Sequence, residues 1–204
     1  MDINYFLYSF VSIFITVDPI GLLPMIHSLL INYSEDDRKK IIKKAIFIST
    51  IVLLTFAIFG KYIFAYFGIT MDSFKVAGGL LLLKISWDML QAEIPKTKHK
   101  PDEKIEGDID SIAYVPLAIP LISGPGAITT TMILVGKSTS LTKKLEVILA
   151  IILVMLISYI LMYFSDKILS KLNIYGINAF VRIMGLLLMA ISVQIIFSGV
   201  SQLI

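Results

Sequence analysis

The sequence predicts an all-α polytopic membrane protein in which six transmembrane helices form two inverted three-helix repeats, with helices 1 and 4 broken. Three observations predict this fold. Of the 204 residues, 57% are hydrophobic and only 16% are charged, which is typical of integral membrane proteins. Long apolar runs recur along the chain, and a shift of 106 residues carries the helix break at Pro19 onto the helix break at Pro125. We therefore expect one membrane domain, with repeat 1 over residues 1–92, a polar linker over 93–110 and repeat 2 over 111–204.

Composition excludes several classes of function. The chain has no cysteine and two histidines, so disulfides, thiol catalysis and thiolate metal sites are ruled out and no metal site is expected. The net charge of +3 comes from lysines clustered in loops, where they report membrane topology. We expect no nucleic-acid partner.

Span 1 runs from Ile3 to about Ile31 and is interrupted by Asp18-Pro19-Ile20-Gly21. Proline and glycine at membrane depth break a helix, and such breaks are tolerated where they are buried in protein or line a polar cavity. Asp18 is an ionisable residue inside a span, which makes it a candidate for ligand or proton binding. It is equally suited to cap the half-helix that follows. His27, near the end of this span, is expected to be merely hydrated.

Spans 2 and 3 complete the first repeat. Ser34, followed by three acidic residues, predicts the N-cap of a helix, and span 2 then covers residues 45–67. Span 3, residues 74–90, contains Lys84 and Asp88 at i, i+4 spacing on one helical face. The two charges form either a coupling relay or a structural ion pair.

Span 4, residues 112–136, holds no charged side chain and is broken by Ser123-Gly124-Pro125-Gly126. Pro125 suits the first turn of a new half-helix, which continues through Thr129 and Thr130. The free N–H groups of that turn are expected to receive a carboxylate, with the threonine hydroxyls as further ligands. The alternative is a kink that only lets helices pack. Spans 5 and 6 cover residues 147–165 and 183–204.

The 106-residue shift carries Pro19 onto Pro125, Gly79 onto Gly185 and Ser86 onto Ser192. Each half then has three spans, so the two halves cross the membrane in opposite directions.

The basic residues predict the orientation of the chain in the membrane. With both termini outside the cell, twelve lie on the inner side and five on the outer side of a plasma-membrane protein. The inner set is Arg38, Lys39, Lys40, Lys43, Lys44, Lys96, Lys98, Lys100, Lys104, Lys167, Lys171 and Arg182; the outer set is Lys61, Lys75, Lys137, Lys143 and Lys144.

At both breaks the chain resembles the MarC family of integral membrane proteins. The resemblance rests on residues 18–21 with Pro24, on the stretches Phe67-Gly68-Ile69 and Ala77-Gly78-Gly79, and on residues 115–128. It implies six helices, membership of a superfamily related to amino-acid exporters of the LysE type, and relatives that transport small neutral amino acids. Pro24 departs from the small or polar residue expected there, which bears on the substrate range.

The leading hypothesis is a secondary transporter of glycine, alanine, serine or similar small zwitterions, working by alternating access and coupled to H⁺ or Na⁺. It needs no other cofactor and no catalytic residue. The residues that it places at the substrate are Asp18, Pro19, Gly21, Ser123, Gly124, Pro125, Gly126, Thr129 and Thr130. One alternative is an intramembrane enzyme in which Asp18 and Asp88 share a proton; another is a channel or structural membrane protein. The remaining expected partners are the lipid bilayer and a second copy of the chain.

Overall fold

The computed structural model describes residues 2–30, 33–91, 108–169 and 174–201, and it contains helices and no strand within these ranges. The predicted all-α class is confirmed. Most of the predicted polar linker and the last three residues of span 6 lie outside the described residues. The helices are α1 Ile3–Val17, α2 Leu23–Leu30, α3 Glu35–Phe67, α4 Met71–Gln91, α5 Asp108–Ile112, α6 Pro125–Lys137, α7 Leu141–Tyr163, α8 Ser165–Leu169 and α9 Ile174–Val200. Between α5 and α6 lies the stretch Ala113–Ile122, a helical segment interrupted by extended residues, which we call the proline-rich segment.

Local signals set several helix ends. The hydroxyl of Ser34 accepts a hydrogen bond from the Asp37 N–H at 3.2 Å and caps α3 as predicted. Ser140 caps α7 in the same way, accepting from the Lys143 N–H at 3.3 Å. The N-cap of α1 is Asp2, and the N–H of Tyr5 donates to its carboxylate and holds the pKa of Asp2 below its usual value. A side-chain oxygen at each N-cap satisfies an N–H that the helix leaves without an acceptor.

In the described part of the chain, α3 and α7 are long and apolar enough to cross a membrane. A third candidate is the pair Ile109–Ile122 and Pro125–Lys137, which is bent by 56°. The count of six spans therefore stays a prediction. Fewer spans than six meet the criteria for two reasons. Helix α1 ends at the first break after 15 residues, which is shorter than a full span. In α4, Lys84 and Asp88 lower the hydropathy.

Helices α4 and α9 pack antiparallel through glycine. A Cβ added at Gly79 would lie 3.1 Å from the carbonyl oxygen of Ser192, and one added at Gly185 would lie 3.2 Å from that of Ser86. Both serines are fully buried and turn their hydroxyls back onto their own helices. Glycine lets the two backbones approach closely, as small residues do at helix contacts in membranes. The main chains of these two helices are therefore in direct contact.

The other helices form a bundle in which α1 packs against α6 and α7, and α3 packs against α6, α7 and the proline-rich segment. The phenol of Tyr5 donates to the Leu134 carbonyl at 2.6 Å and so ties α1 to α6. The N–H of Asp2 donates to the buried carboxylate of Glu146 at 2.6 Å and ties α1 to α7. This packing fixes the helices that carry both breaks.

Candidate functional site at two helix breaks

The first break separates α1 from α2. Asp18 caps the C-terminus of α1 in the left-handed conformation, with φ 46° and ψ 57°, a region that aspartate enters more readily than most residues. Its carboxylate accepts the Gly21 N–H at 3.1 Å. Pro19 and Gly21 are buried, and Asp18 is partly buried. Asp18 is therefore the C-cap of α1, and its carboxylate bonds the turn ahead of α2, which begins at Leu23, instead of capping α2 as predicted. Its role as a ligand stays a prediction.

The second break lies between the proline-rich segment and α6. Val115 and Ile119 have extended backbone angles, because each precedes a proline and the proline ring disfavours the helical conformation there. The Ser123 hydroxyl donates to the Ala118 carbonyl at 2.7 Å. Gly124 is the N-cap of α6, and a Cβ there would lie 2.4 Å from the Pro120 carbonyl oxygen. Only glycine fits where the backbone passes so close to the Pro120 carbonyl. Pro125 then starts α6 as predicted.

Gly126, Thr129 and Thr130 lie at i, i+3 and i+4 and so share one face of α6. A Cβ added at Gly126 would meet no atom within 4 Å. Thr129 is buried, and its hydroxyl has no hydrogen-bond partner within the described ranges. The hydroxyl of Thr131, in contrast, donates to the Ile128 carbonyl at 2.8 Å. An unpaired buried hydroxyl costs free energy, so Thr129 is a ready partner for a ligand.

The start of α6 also offers backbone donors. The first N–H that closes the helical ladder is that of Ile128, which donates to the Gly124 carbonyl at 3.0 Å. Pro125 has no N–H, so the N–H groups of Gly126 and Ala127 have no acceptor within the helix. Together with the positive end of the helix dipole, these donors favour an anionic group.

Helix α4 packs directly on the second break. A Cβ added at Gly78 would lie 1.7 Å from Cγ and 2.4 Å from Cβ of Pro125. The sequence alone does not identify Pro125, which is 47 positions away, as the partner of Gly78. The α4–α9 pair therefore meets the rest of the bundle at the residue that starts α6.

The structure does not bring all the predicted site residues into contact. Helices α1 and α6 pack together, but the hydrogen bond of the Asp18 carboxylate is local. Lys84 is exposed, and it forms no ion pair with Asp88 within 4.0 Å in the described chain. The neutralising pair that the spacing predicts is therefore not formed, since i, i+4 spacing permits an ion pair without requiring one. The alternative in which Asp18 and Asp88 share a proton stays a prediction.

A charged cluster at the far end of α2 was missed by the sequence reasoning. His27 Nδ1 lies 2.8 Å from Asp166 Oδ1, and Arg38 donates to Asp166 Oδ2 at 3.0 Å. The cluster lines a cavity of about 460 Å³ together with Glu35 and Lys39. The expectation that His27 is merely hydrated is wrong, because Asp166 is folded against it from 139 positions away. No local sequence pattern predicts a contact between residues so far apart in the chain.

Comparisons with known proteins give a consistent result. A family model described as MarC family integral membrane protein matches residues 3–204. A UPF0056 membrane protein of Methanocaldococcus jannaschii is 66% identical over 202 residues, which cover 98% of this chain and 89% of the relative. UPF0056 membrane proteins of Aquifex aeolicus and Bacillus subtilis are 37% and 31% identical over 98% of this chain and 94% and 95% of their own. No solved structure matches the chain.

Proposed function

This chain belongs to the MarC family of integral membrane proteins, and we propose that it is a secondary transporter of small neutral amino acids or similar small zwitterions. The observation that carries the proposal is the start of α6. Open space lies over Gly126, and the unpaired hydroxyl of Thr129 lies one turn away on the same face. A break with free polar groups inside an apolar bundle is typical of transporter binding sites.

The carboxylate of the substrate binds the N–H groups of Gly126 and Ala127 and the Thr129 hydroxyl. The positive end of the α6 dipole adds to the attraction, which is strong because little water screens it. The ammonium group, or a coupling H⁺ or Na⁺, binds the Asp18 carboxylate or the carbonyls freed where α1 ends. Gly78 and Pro125 pack tightly beside this site, which favours glycine, alanine or serine over larger side chains.

Alternating access follows from two inverted repeats of three spans each. Two features support this arrangement. The caps Ser34 and Ser140 are related by the 106-residue shift. The contact of Gly79 with Ser192 becomes, under the same shift, the contact of Gly185 with Ser86. Contacts that exchange in this way are expected of halves that cross the membrane in opposite directions, with both termini outside the plasma membrane.

Purified protein reconstituted in liposomes is expected to take up labelled glycine and alanine saturably and to exclude leucine, because Gly78 and Pro125 pack tightly beside the proposed site. An imposed proton or sodium gradient drives accumulation and identifies the coupling ion. Empty liposomes are the control. Flux that does not saturate indicates a channel, and absence of flux above empty liposomes under either gradient overturns the proposal.

Thr129→Val is expected to raise the KM for uptake about 10- to 100-fold, because a hydrogen bond to a charged group contributes about 1.5–3 kcal/mol. Its thermal midpoint should equal or exceed that of the unmodified protein, since valine has nearly the same shape and the buried hydroxyl that it removes has no hydrogen-bond partner. Thr131→Val is the matched control, because its hydroxyl is bonded within α6. Equal KM values for the two variants contradict a substrate contact at Thr129.

A further inference from the structure

A groove of about 870 Å³ opens between α3, α7 and α5, away from both helix breaks. Three lysines of α3 line one end, and apolar side chains of α3 and α7 line most of the rest. Neither the MarC family membership nor the proposed transport uses this groove. Its two-part lining is the feature that calls for a ligand.

The basic end consists of Lys40, Lys43 and Lys44, which lie at i, i+3 and i+4 on one face of α3. All three are exposed. Lys44 pairs with Asp110 of α5, and Lys40 lies 3.2 Å from Asp37. Lys43 has no acidic group within 4.0 Å among the described residues. Among the described residues, Asp110 is the only acidic side chain that lines the groove, so the described lining of this end is net positive.

The apolar wall of the groove is formed by α3 and α7, farther along both helices from the lysines. Lys39 Nζ is 5.5 Å from the ring centroid of Tyr163, so the start of α3 faces the end of α7 and the two helices run antiparallel here. The distance along α3 from Lys43 to Thr50 is about 10 Å. Over this distance the lining of the groove changes from ammonium groups to mainly apolar side chains. Phe47, Ile152 and Leu156 are all exposed along this wall.

We propose that this groove binds a membrane lipid with an anionic phosphate headgroup. The phosphate lies between Lys40 and Lys43, and one lipid chain packs along Phe47, Ile152 and Leu156. Tyr159 also lines the groove, and its ring lies 5.8 Å from that of Tyr163, at the end of α7 that Lys39 faces. Tyrosines are common at the membrane interface. Basic pockets between transmembrane helices are established sites for anionic headgroups.

The arrangement of a basic end next to an apolar wall favours an anionic lipid over other ligands. A free phosphate gains nothing from the apolar wall, and a zwitterionic lipid gains little from a net positive end. An anionic lipid matches both parts, with charge at the surface and hydrocarbon about 10 Å deeper. The groove shares no residue with the two breaks, so lipid binding and transport can fail independently.

The test measures lipid binding to the purified full chain by native mass spectrometry and by the thermal midpoint. The probes are dioleoyl phosphatidylglycerol, dioleoyl phosphatidylcholine with the same chains, and glycerol 3-phosphate as the headgroup alone. Phosphatidylglycerol is expected to bind one site saturably and to raise the midpoint. Each lysine contributes about five-fold in affinity, so Lys40→Gln combined with Lys43→Gln weakens binding about 30-fold.

Lys137→Gln combined with Lys144→Gln is the charge-matched control, because both lysines are exposed and outside the groove. This variant is expected to keep the binding of phosphatidylglycerol. Midpoints without lipid verify that both double variants fold, as exposed lysines allow. The proposal is overturned if phosphatidylcholine binds equally well, if glycerol 3-phosphate alone raises the midpoint as much, or if both double variants lose binding equally.

Discussion

Gly78→Ala is expected to abolish substrate uptake and to lower stability in the upper part of the range of about 1–3 kcal/mol that overpacking costs. The new methyl would lie 1.7 Å from Cγ of Pro125, and a proline ring at the start of a helix cannot rotate away. Helix α4 must therefore move, or Pro125 must shift and displace the N–H groups of Gly126 and Ala127. A small displacement of these donors is enough to lose a bound carboxylate. Uptake into liposomes and the thermal midpoint measure the two effects.

Gly136→Ala is the matched control for this substitution. Gly136 lies in α6, and a Cβ there would meet no atom within 4 Å. Alanine is also the better helix former by about 0.5–1 kcal/mol, so this variant should be as stable as the unmodified protein or more so, with normal uptake. If Gly78→Ala behaves like Gly136→Ala, the contact of α4 with the second break does not support the site.

The two helix breaks could be predicted from sequence because their causes are local. Proline removes an N–H and disfavours a helical residue before it, so Pro19 and Pro125 mark breaks without knowledge of the rest of the chain. The N-cap at Ser34 follows from a serine before three acidic residues, which is also a local pattern. These features needed only a few neighbouring residues to define them.

The contacts that complete the site could not be predicted in this way. Gly78 meets Pro125, and His27 meets Asp166, only because separate helices fold together. Spacing alone also misjudged Lys84 and Asp88, since neighbouring positions on one helix face permit an ion pair without requiring one. The open space over Gly126 and the unpaired Thr129 hydroxyl likewise depend on which side chains of other helices approach α6.

Gly79→Ala and Gly185→Ala are expected to destabilise the protein by similar amounts, about 1–3 kcal/mol each. The reason is that the two positions occupy equivalent places in one antiparallel contact. The new methyl at Gly79 would lie 2.6 Å from Ile196 Cγ1, and the one at Gly185 would lie 2.9 Å from Met89 Cβ. Equilibrium unfolding of the purified single and double variants measures these costs.

The double variant is expected to lose less stability than the two single losses added together. Both methyl groups push the same pair of backbones apart, so the first substitution removes part of the obstacle that the second would meet. Gly136→Ala combined with Gly185→Ala is the control pair, because Gly136 lies outside this contact and its effect should simply add. If Gly79→Ala is neutral while Gly185→Ala is strongly destabilising, the two glycines are not equivalent. The crossing of α4 and α9 would then give no support to an inverted repeat, and alternating access would lose its structural basis in this chain.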